Sequence, residues 1–232
     1  MEENTAGTYV RITNEELAGL KWIFFDVGTV LADEEPVHRE RFRMIQPELK
    51  RLTGRDMTYE EFDRVMDEGG MLCRGAFGYA ARRLGVKNIP PYLCEFEVPV
   101  PGAPEGVKLL AGRFRLGIIA NQRSGLRERL DRLGYAGCFV PEAVFGSDDC
   151  GMAKPDPRIF AAALAAAGCR PEEAMMVGDR PDNDIGPARR AGMYAARIVT
   201  GSYRNNPPST PDEEADICVP SVAVLADILL PE

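Results

Sequence analysis

Histidine is all but missing from this chain: His38 stands alone among 232 residues. Zinc sites built on paired histidines are thereby excluded, and any Ser-His-Asp or Cys-His scheme would have to be built around that one residue. The six cysteines, Cys73, Cys94, Cys138, Cys150, Cys169 and Cys218, are never closer than twelve positions, so neither a CxxC redox pair nor a zinc knuckle can be written. They read as small buried apolar residues that stay reduced. No apolar run approaches the roughly 18 residues of a membrane span, and the opening MEENTAGTYV lacks the basic region and apolar stretch of a signal peptide. The expected address is cytoplasmic. Basic residues are outnumbered, with 28 Lys and Arg against 36 Asp and Glu. The formal charge of −8 gives nucleic acid or an anionic membrane no electrostatic footprint, so neither is expected as a partner. Chemistry must then rest on carboxylates, lysine and, where carboxylates cluster, a metal ion.

What is present is an ordinary globular balance, 45% hydrophobic and 28% charged, which excludes disorder, fibres and disulfide scaffolds. At roughly 150 residues per domain the length suits one core with a sizeable insertion. Short apolar runs at Trp22–Phe25, 116–119, 143–145, 175–177 and 195–199 are too short for helices and read as buried strands. Helical patterns at 104–112, 124–133, 157–167 and 185–191 alternate with them, marked by Ser124, Pro157, Gly134, Gly168 and Gly192 at their ends. A last strand at 217–219 and a helix at 222–230 follow a polar, proline-rich loop at 202–211. The expected fold is α/β, a doubly wound parallel sheet. Residues 36–101 break the rhythm with charged helical segments punctuated by Pro47, Gly54 and Gly69-Gly70, and show no convincing strand. They predict an inserted α-helical cap over the carboxyl edge of the sheet, with residues 1–35 and 102–232 forming the core.

Asp26 ends WIFFD and Asp179 ends MMVGD, so in a parallel sheet the two carboxylates converge at one edge. A single carboxylate after a strand is usually a turn former. Two such ends together with Lys154-Pro155-Asp156-Pro157 are harder to assign to turns alone. Clustered carboxylates repel without a cation between them, and oxygen donors with open positions suit Mg²⁺. Lys154 adds a second positive charge, which makes the set a device for holding a phosphoryl group while Asp26 attacks it.

In these motifs the chain resembles the haloacid dehalogenase-like (HAD) hydrolases: Asp26-Val27-Gly28-Thr29-Val30-Leu31, then Lys154-Pro155-Asp156-Pro157, then Gly178-Asp179 with Asn183-Asp184. The resemblance implies a Rossmann-like core with a helical cap and a phosphoaspartyl intermediate on Asp26. It further implies Lys154 as charge clamp, and Mg²⁺ held by Asp26, the Gly28 carbonyl, Asp179 and Asp184. Asp184 also reads as a stabiliser of the helix start near Ile185.

Two positions depart from the family pattern. Gly28 stands where most family phosphatases carry an acid/base aspartate, and its loss predicts a preference for phosphates with good leaving groups. Asp33, Glu34, Glu35 and His38 are the local candidates to replace that acid, although all four read as a solvated acidic turn. Ala120 replaces the Ser or Thr that binds phosphate, leaving Asn121 and its backbone N–H as the substrate contact. Arg39, Arg41 and Arg43 sit in the insertion, as a solvated face or facing an anionic substrate. The expected activity is hydrolysis of a small phosphorylated metabolite. A low-turnover binding protein and a metal-free carbon–halogen hydrolase are the alternatives, and the second is disfavoured because a metal-holding pair would repel a haloacid. Oligomeric state has no signature in the sequence.

Overall fold

The computed structural model describes residues 8–231. In chain order the elements are β1 (Tyr9–Val10), α1 (Asn14–Ala18), β2 (Trp22–Phe25), β3 (Ala32–Asp33), α2 (Glu35–Thr53), α3 (Tyr59–Met71), α4 (Ala76–Arg83) and β4 (Val98–Pro99). There follow α5 (Ala103–Ala111), β5 (Arg115–Ala120), α6 (Leu126–Leu130), β6 (Val144–Gly146), α7 (Ser147–Cys150), α8 (Pro157–Ala167) and β7 (Ala174–Gly178). The chain ends with α9 (Gly186–Arg190), β8 (Tyr194–Ile198), β9 (Ile217–Val219) and α10 (Val222–Leu229).

Seven strands form one sheet in the order β1-β9-β8-β7-β2-β5-β6, parallel throughout except for the antiparallel edge pair β1 and β9. Alternation along β2 explains the double winding. Trp22 and Phe24 pack on one face with Ile159, Phe160 and Ala163 of α8, while Ile23 and Phe25 join Val107, Leu110, Leu126 and Leu225 on the other. Both faces are covered, so every residue of β2 is buried and the strand reads as a continuous apolar run. After β2 the chain builds β5 and β6 on one side and β7, β8 and β9 on the other. The carboxyl end of β2 is therefore the switch point at which open sheets bind ligands.

The insertion leaves and returns through a two-stranded antiparallel ribbon, Ala32 opposite Pro99 and Asp33 opposite Val98. Its helices close over their own core of Phe42, Ile45, Leu49, Phe62, Met66 and Phe77. Several sequence expectations change here. A strand, β4, lies inside the stretch expected to have none, because pairing with β3 gives its backbone partners. Helix α2 runs straight through Pro47, which was expected to punctuate it. Proline forfeits one intrahelical bond, but burial of Val37, Phe42, Ile45 and Leu49 on one face carries the helix past it. Helix α6 stops at Leu130, and the chain turns through a wider coil where Gly134 takes φ +91°. The helix expected from residue 185 begins as a similar wide turn at Pro181–Ile185. Strand β1 and helix α1 were not expected, although the Thr13–Glu16 capping box that opens α1 is a readable start signal. Among the described residues no helix is long and apolar enough to cross a membrane.

Candidate active site

Pairing register brings the acidic strand ends together. Phe25 lies opposite Ile118 on β5 and Val177 on β7, and the Asp26 N–H donates to the Val177 carbonyl at 2.8 Å. Asp179 follows β7 by one residue. Asp184 returns to the same point because the wide turn 181–185 folds back over the strand end: its Oδ2 accepts the Arg180 N–H at 3.0 Å. Gly178 makes that return possible, since a Cβ there would lie 2.4 Å from the Cβ of Asp184.

Asp26, Asp179 and Asp184 each offer an oxygen within 4.8 Å of the others. Lys154 meets two of them, with Nζ 2.8 Å from Asp26 Oδ1 and 2.6 Å from Asp184 Oδ1, and its own side chain is fully buried. Burial works against the ammonium charge, but Asp184 and Asp26 outweigh it and raise the Lys154 pKa. The carboxyl of Asp179 is raised well above its ordinary value by burial, then by Asp184 and Asp26, against the hydroxyl of Thr29 that donates to it at 2.5 Å. Asp184 is raised as well, by burial first and by Asp26, with Lys154 opposing. Three carboxyls facing one ammonium form a hard-oxygen donor set short of positive charge. Such a set fits Mg²⁺.

Asn121 holds the lysine in place. Its Oδ1 accepts the Lys154 N–H at 2.7 Å and its Nδ2 donates to the Lys154 carbonyl at 2.8 Å. Both polar ends of the side chain expected to meet phosphate are therefore committed to the backbone of the Lys154 turn. Gly28 lines the same cleft of about 210 Å³ with Asp26, Thr29, Glu34, Gln122 and Asp179. Thr29 sits at φ 58°, unusual for a β-branched residue, and its hydroxyl, with one hydrogen to give, stands within reach of both Asp179 and the Gly28 carbonyl, the latter at 2.7 Å. No sequence pattern marked Thr29 for that role.

The acidic turn after the first motif is largely not solvated. Asp33 accepts the Glu35 N–H at 2.9 Å and so starts α2, and His38 packs on the Phe77 ring with centroids 5.8 Å apart. Glu35 alone behaves as expected, an exposed partner of Arg39. Glu34 is half-buried and lines the cleft. Burial, then Glu97 and Asp26, push its pKa up to about 7 against the Tyr92 hydroxyl. That hydroxyl stands 2.9 Å from Glu34 Oε1 and 2.7 Å from Glu97 Oε1. It has one hydrogen for two carboxyls; given to Glu97, it leaves the phenolic oxygen able to accept from a protonated Glu34. Glu97 is ion-paired with Arg129, Nε to Oε2 at 2.8 Å but off the line of a hydrogen bond, while Nη2 donates to Oε1 at 3.2 Å. Tyr92 and Glu97 are five residues apart and Arg129 lies 32 beyond Glu97, and nothing in their spacing marked them. Of the insertion's arginines, Arg41 holds the Pro90 carbonyl and stacks over Phe77, and Arg43 pairs with Glu40. Neither is free for an anion.

The insertion is seated on the core beside this cleft. Gly70 of α3 meets the Ser202 backbone, Arg204 pairs with Asp67 at 2.5 Å, and the Tyr203 hydroxyl donates to the Arg74 carbonyl at 3.1 Å.

A haloacid dehalogenase-like hydrolase model matches residues 20–192. Among curated relatives, a glyceraldehyde 3-phosphate phosphatase of Methanopyrus kandleri is 32% identical over 231 residues, covering 90% of this chain and 97% of its own. A phosphoserine phosphatase of Thermus thermophilus is 40% identical over 117 residues, 48% of this chain and 46% of its own. The fold matches that of a HAD phosphatase from Thermococcus onnurineus, with a TM-score of 0.63 at 24% identity over 92% of this chain and 99% of the other. It also matches a magnesium-bound HAD hydrolase from Bacillus subtilis, at TM-score 0.67 and 18% identity, over 90% and 98%. With the acidic strand ends, the buried lysine and the helical insertion in one arrangement, the chain belongs to the haloacid dehalogenase-like hydrolases.

Proposed function

We propose that this hydrolase is a Mg²⁺-dependent phosphatase of a small phosphorylated metabolite, acting in the cytoplasm through a phosphoaspartyl intermediate on Asp26. The observation that carries the reading is the convergence of Asp26, Asp179 and Asp184 on one point with Lys154 between two of them. The names of the relatives, a glyceraldehyde 3-phosphate phosphatase and a phosphoserine phosphatase, support the substrate class. Asp26, Asp179, Asp184 and the Gly28 carbonyl would hold the metal, which when bound supplies positive charge to the phosphoryl oxygens. Lys154 fixes the Asp26 carboxylate by a 2.8 Å contact and adds charge where the transferred phosphoryl group develops it. Asn121 positions that lysine through its backbone, and Thr29 fixes Asp179. Residues 36–101 act as a cap domain that shields the cleft and selects the substrate.

A carbon–halogen hydrolase would use Asp26 as well, but three buried carboxyls against one ammonium give a haloacid's own carboxylate little to meet. Phosphate release from a panel of phosphorylated metabolites, with and without Mg²⁺, tests the reading. Release that requires Mg²⁺ is expected. Halide release without phosphate release, or no turnover of any phosphate, would overturn it.

A further inference from the structure

Hydrolysis of an alkyl phosphate needs more than a nucleophile and positive charge. When the P–O bond to the leaving group breaks, its electron pair goes to an alkoxide oxygen that must be given a proton. The second half-reaction needs a group to take one from water. Among the described residues the acids lining the cleft are Asp26, Glu34 and Asp179, with Asp184 buried against the same cluster. Asp26 is the nucleophile of the proposed function, Asp184 is bonded to Lys154, and Asp179 belongs to the metal set. One carboxyl is left over.

That carboxyl occupies a particular place. A Cβ built on Gly28 would lie 2.9 Å from Glu34 Oε1, 3.3 Å from its Cδ and 3.7 Å from Oε2. The Glu34 carboxyl therefore fills the volume that an acidic side chain on residue 28 would claim, two residues beyond the nucleophile. Several observations explain how it arrives. Glu34 immediately precedes α2 and makes no capping bond there, a task that falls to Asp33. Glycine at position 28 leaves the approach open. Tyr92, held in turn by Glu97, aims the carboxyl from the far side, and Glu97 is fixed to the core by buried Arg129.

We propose that Glu34 is the general acid and base of this enzyme, reaching from the base of the insertion into the place that Gly28 leaves vacant. The proposal rests on the phosphatase reading of the site. In the first half-reaction an Asp26 oxygen forms a bond to phosphorus and the P–O bond to the leaving group breaks, while the leaving oxygen takes the Glu34 proton and departs as an alcohol. In the second, the Glu34 carboxylate takes a proton from water as the water oxygen bonds to phosphorus. The Asp26–phosphorus bond then breaks, its electron pair returning to Asp26, and Glu34 is protonated again. Tyr92 is a positioning residue in both steps.

The test uses 4-nitrophenyl phosphate, whose leaving group needs no proton, so the two half-reactions separate. With Mg²⁺, the isosteric Glu34→Gln variant should release one nitrophenolate per chain in a burst and accumulate phosphorylated enzyme. Its steady turnover should then fall by about 10² to 10⁴. The pair Glu34→Ala with Gly28→Asp, which moves the acid back onto residue 28, should recover turnover that Glu34→Ala alone loses. Native turnover by Glu34→Gln overturns the proposal, as does lowered turnover with no burst, which marks a structural role, or a failure of the paired variant, correctly folded, to recover. If the native protein itself releases no nitrophenolate, it is the phosphatase reading that fails.

Discussion

Lys154 Nζ lies 2.6 Å from Asp184 Oδ1, and both side chains are sealed from solvent. Among the described residues the ammonium is the only side-chain cation paired with any of the three clustered carboxyls, and it meets two of them, Asp26 and Asp184. Replacing it with Met should therefore cost about 3–5 kcal/mol, the usual penalty for leaving a buried charge unpaired. Urea unfolding measures this, and Mg²⁺ should restore part of the loss by supplying charge at the same point. A variant as stable as the native protein would show that these carboxyls are neutral without the lysine.

A second prediction concerns His38, half-buried against Phe77. Burial, and then Arg41, lower its pKa from 6.5 to about 4. Above pH 6.5 the ring is neutral folded or unfolded, and stability is at its full value. As pH falls from 6.5 to 4 the unfolded chain binds a proton that the folded chain refuses, so stability declines, by an amount on the order of 2–3 kcal/mol. Below about 4 the His38 contribution levels off. His38→Leu should flatten the curve within that window when compared with the native protein by unfolding at pH 7, 5.5 and 4.5. Parallel curves would contradict the burial of His38.

Gly70 tests the seating of the insertion. A Cβ there would lie 1.8 Å from the Ser202 carbonyl oxygen, a backbone atom that cannot rotate aside. Gly70→Ala should lift α3 from the 201–203 loop at a cost of about 1–3 kcal/mol. Phosphatase activity should drop although no group of the acidic cluster is touched. Unchanged stability and activity would mean that α3 does not bear on this loop in solution.

How far these features could be read in advance follows from how local their causes are. Asp26 and Asp179 were legible because each ends a buried apolar run, and parallel strands must share an edge. Lys154 was legible from its turn. The double winding followed from short apolar runs alternating with helices. Glu34 was legible only as one of four candidates for the missing acid, because its place depends on how the chain leaves β2, on the missing side chain at residue 28 and on a tyrosine 58 positions away. Helix α2 was misjudged at Pro47 because burial of one face outweighs a local breaker. Asn121 was placed at the substrate by its position after β5, whereas its amide completes the Lys154 turn. No local signal distinguishes those two uses.

In the proposed reaction a carboxylate oxygen of Asp26 takes the phosphoryl group. The decisive measurement is mass spectrometry of the native protein, quenched in acid during turnover of 4-nitrophenyl phosphate with Mg²⁺ and digested to locate any added phosphoryl group. A phosphoryl group is expected on the peptide carrying Asp26 in part of the native chains, absent without Mg²⁺ and absent from Asp26→Asn, which should fold as stably as the native chain and release no phosphate. Steady phosphate release with Asp26 never modified, or turnover by Asp26→Asn free of deamidated protein, would contradict it.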